Sequence, residues 1–134
     1  TLGHNFIPPG IHAGGLRYHG ASPLVSALVN EGIVEAQALD QLECFEAGLK
    51  FAQAEGILPA PETSHAVAWT IREALKAKTE NTPKTILFNM SGHGYFDMYA
   101  YQQYLDNKLA NFVFDDDILK NIEGQTHPVE LAFQ

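Results

Sequence analysis

The stretch Thr85–Met90 (TILFNM) runs directly into Ser91-Gly92-His93-Gly94, and this junction limits what the chain can fold into more than any other segment. This largely apolar and partly β-branched stretch, without polar alternation, predicts a strand covered on both faces, as in a parallel sheet. Such a strand needs neighbours on either side and helices above and below. The flanking sequence supplies the helices but few further strands. The fold class expected is α/β, a partial three-layer arrangement of helices around a few parallel strands whose sheet is completed elsewhere. A length of 134 residues fits one domain, so residues 1–134 are read as a single unit.

Residues 1–21 hold five Gly, two Pro and three His without a hydrophobic period, which predicts a long ordered loop. Ser22 followed by Pro23 matches an N-cap with proline at the first helical position, and Leu24, Leu28 and Gly32 give a short apolar stripe ending on a glycine. Residues 33–38 read as a strand or a connector. Asp40 with Glu43 forms a capping box opening a longer helix, with Leu42, Phe45, Leu49 and Ala52 facing inward and Gly56 closing it. Thr63 or Ser64 is expected to cap a third helix whose inward face is Val67, Ile71 and Leu75. A fourth helix is predicted over 97–109, then a short strand or extended arm over 111–114. Residues from about 120 to 134 read as a loosely packed tail.

Sixteen acidic residues against eight basic ones leave a formal charge of -8, with no basic cluster, so no nucleic acid and no anionic membrane surface is expected as a partner. No apolar run approaches the roughly 18 residues of a spanning helix, and no leader is visible, which makes the cytoplasm the expected location. Cys44 is the one cysteine; on a helix it reads as core packing. A chain that opens on Thr1 within a dense motif reads as a piece of something longer.

Strand, glycine-rich turn and helix in series point at a ligand, because glycine admits close backbone approach and a helix N-terminus attracts negative charge. Gly92 and Gly94 also fit the first two glycines of a dinucleotide fingerprint, but the third falls on Asp97; a glycine-rich turn without a ligand is the remaining reading. Glu62 is either a favourable charge near a helix N-terminus or a carboxylate held beside a cofactor. His4, His12, His19, His65 and His93 lack the spacing of a zinc motif. Arg17 could pair an acidic substrate or a buried carboxylate.

Three segments in series, TLGHNFIPPGIHAGGLRYHG, QLECFEAGLKFAQAEGILPAPETSHAVAWTI and ILFNMSGHGYFD, resemble the C-terminal part of tryptophan synthase β chains, especially their second, divergent group. The likeness runs from Thr1 to about Leu119. It implies the large domain of a fold type II pyridoxal-phosphate enzyme that joins serine and indole into tryptophan and water by β-replacement. Ser91 matches the serine whose hydroxyl bonds the pyridine nitrogen, and a hydroxyl, unlike a carboxylate, does not hold that nitrogen protonated. Gly92 and Gly94 would let the backbone approach the ring. Glu62 matches the glutamate beside the ring; Ser64, His65 and His93 belong to the same motifs as supports. Phe6 matches a residue whose backbone carbonyl joins a monovalent-cation site, with Asn5 where the better-known group has aspartate.

The family's Schiff-base lysine lies in a His-Lys-x-Asn context, and this chain has none. Its lysines are Lys50, Lys76, Lys78, Lys84, Lys108 and Lys120. The GGGSN-type phosphate cup is missing too, since Gly14-Gly15 lies in a loop without the serine and asparagine. The expectation is weak or no cofactor binding and no catalysis by the chain alone, which then acts with a complementing polypeptide carrying the lysine half. The alternative is a catalytically dead remnant that persists as a homo-oligomer through its uncovered apolar surface.

Overall fold

The structure, a computed structural model, describes residues 6–18 and 20–112. It divides into two compact units: Thr1–Pro9 with Arg17–Ala36 and Val113–Gln134, and Gly10–Leu16 with Gln37–Phe112. Asn5, His4, His19 and the tail from 120 lie outside the described residues.

In the first unit, α1 spans Pro23–Asn30. It starts as expected, with Pro23 at the first position and Ser22 Oγ accepting from the Val25 amide at 3.4 Å. Gly32 adopts φ +69°, and the Ile33 amide returns to the Leu28 carbonyl at 3.0 Å to close the last turn. Its apolar stripe buries nothing: Leu24, Val25, Leu28 and Val29 are all exposed. Arg17 has a local role, donating from Nε to the Pro9 carbonyl at 2.9 Å and from a terminal nitrogen to Pro8 at 3.2 Å.

The second unit is built on two packed helices, α2 (Gln41–Glu55) and α3 (Pro61–Thr79), with α4 (Met98–Leu105) against α2. A left-handed Gly56 at φ +70° ends α2, and its amide bonds the Ala52 carbonyl. Cys44, Ala47, Val67 and Ala68 form one core, with Leu39, Phe51, Ile71 and Phe88 packed on it; Phe45, Ala100 and Tyr101 form a second. Phe45 meets Tyr101 edge to face at 4.9 Å and stacks on Tyr104 at 5.8 Å. The inward face of α2 is therefore centred between Cys44 and Gly48, one position round from the predicted stripe. On α3, Val67 is buried and Ile71 half-buried, but Leu75 is 58% exposed, while Ala77 beyond it is buried.

Several predicted caps take other work. The capping box is not formed: Asp40 makes no side-chain cap bond, and Glu43 instead takes a two-pronged ion pair with Arg72 on α3. Pro61 pushes the start of α3 upstream, so Ala60 is the N-cap and Thr63 and Ser64 lie inside the first turn, both buried. The fourth helix stops at Leu105, with Asn107 at φ 55° just beyond it.

The largest difference concerns the sheet. The described residues contain four α-helices, a short 3-10 turn and no strand; the one β-type pairing is an isolated antiparallel bridge between Pro59 and His93. Residues 85–90 are extended without a ladder, and 33–38 form a turn and connector. A strand exists only by virtue of a neighbour that takes its hydrogen bonds, and no described segment lies alongside this one. Its side chains alternate: Phe88 packs edge to face on Phe51 at 5.8 Å, whereas Leu87 is 96% exposed.

Candidate functional site

The motif residues of the second unit meet at the first turn of α3. The Gly94 amide donates to the Leu58 carbonyl at 2.8 Å and the Ala60 amide to the Gly92 carbonyl at 3.0 Å, so the link before α3 and the Ser91–Gly94 loop are clamped side by side. A Cβ on Gly94 would lie 2.6 Å from the Pro59 carbonyl oxygen, and on Gly92 3.4 Å from the Ala60 Cβ. Glycine at 94 is thus required by the clamp itself.

From this clamp the side chains follow. Ser91 is exposed, with its Oγ 2.8 Å from the Thr63 hydroxyl, and Thr63 also donates to the Gly92 carbonyl at 3.2 Å. Glu62 turns to the 3-10 turn Gly14–Leu16, where its Oε1 accepts from the Gly15 amide at 2.9 Å. Gly15 sits so close that an added Cβ would be 3.3 Å from the Glu62 Cγ. Ser64 donates to the Ala60 carbonyl at 3.1 Å and lies 3.0 Å from the Tyr101 hydroxyl, which donates to the Pro59 carbonyl at 2.6 Å. Gly48 makes room for that pair: a Cβ there would fall 2.5 Å from the Tyr101 oxygen and 2.6 Å from the Ser64 oxygen. His65 Nδ1 bonds the Pro61 carbonyl at 2.8 Å. His93 meets the Tyr95 ring at a tilt of 38° with centroids 4.7 Å apart, and takes the Tyr95 amide on Nδ1 at 3.3 Å.

Burial, then the charge of Glu62, raises the Asp97 carboxyl above its ordinary range, while His93 and His12 pull it down. Burial also raises the Tyr101 hydroxyl. It pushes the Cys44 thiol up to about 12, so this cysteine is packing and not a nucleophile.

The structure therefore brings Glu62, Thr63, Ser64, His65, Ser91, Gly92, His93 and Gly94 together. Phe6 belongs to the other unit. Sequence reasoning missed Thr63, Gly15 and Asp97 as members of this neighbourhood. Among the described residues no group of three or more His, Cys, Asp or Glu side chains is placed to hold a metal. A groove of about 510 Å³ between α2 and the end of α4, lined by residues including Leu42, Glu43, Glu46 and Leu109, contains none of the site residues. Its two glutamates are already paired with Arg72 and Lys50.

The site fits one wall of an aromatic cofactor: an exposed hydroxyl oriented by a buried partner, a backbone without Cβ beside it, and a carboxylate held by an amide. The described residues do not supply the remainder. Lys50, Lys84 and Lys108 pair with Glu46, Glu73 and Asp106, and Lys76 and Lys78 lie in the last turn of α3, about 20 Å along the helix from Glu62.

Among the described residues no helix is long and apolar enough to cross a membrane. No family model matches the chain. Tryptophan synthase beta chain 2 of Methanosarcina acetivorans is 58% identical over 109 residues, which is 81% of this chain and 25% of that protein. Tryptophan synthase beta chain of Pseudothermotoga lettingae is 62% identical over 75% of this chain and 24% of its own length. Beta chain 2 of Aquifex aeolicus is 57% identical over 83% of this chain and 26% of its own length. The chain spans about a quarter of the length of the curated relatives it matches, and by sequence it belongs to the tryptophan synthase β-chain family.

Proposed function

We propose that this chain is the C-terminal portion of a tryptophan-synthase-β-like enzyme and contributes the pyridine-facing wall of a pyridoxal phosphate site. The observation that carries this reading is that Ser91 is held by Thr63, the residue next to Glu62, at the first turn of α3. Bound there, the cofactor would act as an electron sink for the β-replacement that joins serine and indole. Ser91 would present its hydroxyl to the ring nitrogen without transferring a proton to it. Glu62, fixed by the Gly15 amide, would place its carboxylate beside the ring, and Gly92 would keep that approach free of a side chain; Phe6 would offer its carbonyl to a monovalent cation. Residues 85–90 become a strand of a three-layer α/β domain when the rest of the family's sequence covers them.

The chain alone lacks the lysine and the phosphate cup, so we propose that it is inactive by itself and acts in the cytoplasm with a polypeptide carrying a His-Lys-x-Asn segment. Titration with pyridoxal phosphate, followed by borohydride reduction and intact mass, is expected to give no specific lysine adduct. A saturable visible band with a single adduct on this chain would sink the inactive-alone reading. A catalytically dead, oligomerising remnant is the second reading, favoured by the exposure of Leu24, Leu87 and Phe96. Light scattering over a concentration series decides it: a clean monomer removes this reading, and self-association that a lysine-bearing partner cannot displace supports it.

A further inference from the structure

We infer that Thr63 is a positioning residue for the Ser91 hydroxyl, and that the two hydroxyls with the Gly92 carbonyl form a reversible chain able to present either a donor or an acceptor at Ser91. This rests on the reading that Ser91 faces a ring nitrogen. Thr63 is 1% exposed, so its oxygen and its single proton have to be satisfied within the protein. Two partners stand within reach, the Ser91 Oγ at 2.8 Å and the Gly92 carbonyl at 3.2 Å.

A hydroxyl has one proton, which leaves two consistent arrangements. In the first, Thr63 donates to Gly92 and Ser91 donates to Thr63, so the Ser91 oxygen accepts from outside. In the second, Thr63 turns its proton to Ser91, and Ser91 donates outward. The switch does not strand the Gly92 carbonyl, because the Ala60 amide donates to it at 3.0 Å in both arrangements. Neither arrangement leaves a buried polar atom unpaired, so both are accessible. An unprotonated ring nitrogen selects the second, and a protonated one the first. Thr63 thereby fixes the place of the Ser91 oxygen while leaving its polarity to the ligand.

The test is made first on the cofactor-free chain, by NMR of the Ser91 Hα–Hβ couplings. Wild type and Thr63→Ser are expected to show one Ser91 rotamer, and Thr63→Val, which keeps the shape and removes the hydroxyl, an averaged set. Averaged couplings in the wild type, or Thr63→Val couplings identical to it, overturn the assignment. Should Thr63→Val not fold, the wild-type couplings decide by themselves. The chain is then combined with a lysine-bearing polypeptide and pyridoxal phosphate. There Thr63→Val is expected to shift the visible absorbance maximum and Thr63→Ser to restore it. An unshifted Thr63→Val spectrum overturns the assignment, whereas failure of every form to take up cofactor, with one Ser91 rotamer present, overturns the preceding reading and leaves the positioning role of Thr63 standing.

Discussion

Phe45 and Leu87 are both large apolar side chains, yet one is 1% exposed and the other 96%. Phe45 lies on α2, which has α4 and the Pro59–Tyr101 hydrogen bond within reach of its own fold. Leu87 lies on an extended segment whose neighbours Ile86 and Phe88 are half-buried, Phe88 against the core of the helical pair. Hydrophobic character tells a residue to be buried, but burial requires a partner of matching geometry, and a helical pair supplies its own where a lone strand cannot.

This contrast can be broken experimentally. Phe45→Ala is expected to cost about 3–5 kcal/mol in denaturant unfolding, the range for emptying a buried aromatic site. Tyr101→Phe should cost about 1–3 kcal/mol, since the buried Pro59 carbonyl loses its 2.6 Å donor. Leu87→Ser should stay within about 0.5 kcal/mol in the chain alone. A loss for Leu87→Ser comparable to that of Phe45→Ala would show that residues 85–90 are already covered by a second copy. The Cys44 thiol adds a pH test on the packed side. Its value in the fold is about 12 against an ordinary 9.0, so the unfolded chain releases this proton first and the stability contributed is full below pH 9. Stability should then fall from about pH 9 towards 12, and a Cys44→Ala variant should lack that component. Finally, Glu43→Gln should give the smallest effect, one that shrinks further with added salt, because the Arg72 pair is exposed.

The helical half of the fold was legible because its signals are local. Ser22-Pro23, Gly56 and the three-to-four spacing around Phe45 each act within a turn of where they stand. The register of α3 was misread because Pro61 at the first helical position outranks Thr63 and Ser64 as capping candidates, freeing both hydroxyls for contacts distant in sequence. The capping box on α2 failed for a related reason: Glu43 had a better partner in Arg72, 29 residues away. Of the site, the motifs announced Glu62 and Ser91, but not that α3's first turn joins the one to the Gly15 amide and, through Thr63, holds the other. Nothing in the spacing of single residues encodes a contact made between backbone amides and side chains of separate segments.

The five residues Gly56–Ala60 that join α2 to α3 bear on the order in which the chain acquires its structure. Two helices joined by so short a link close a small loop, so their contacts form early and at little entropic cost. The Ser91–Gly94 segment docks on that link and on Thr63, and has nothing to dock on until α3 exists. Its pairing closes a far larger loop and follows the helical pair in time. The Ser91–Gly94 wall is accordingly expected to assemble last and to open first, so its amides should exchange with solvent well before those of α2 and α3.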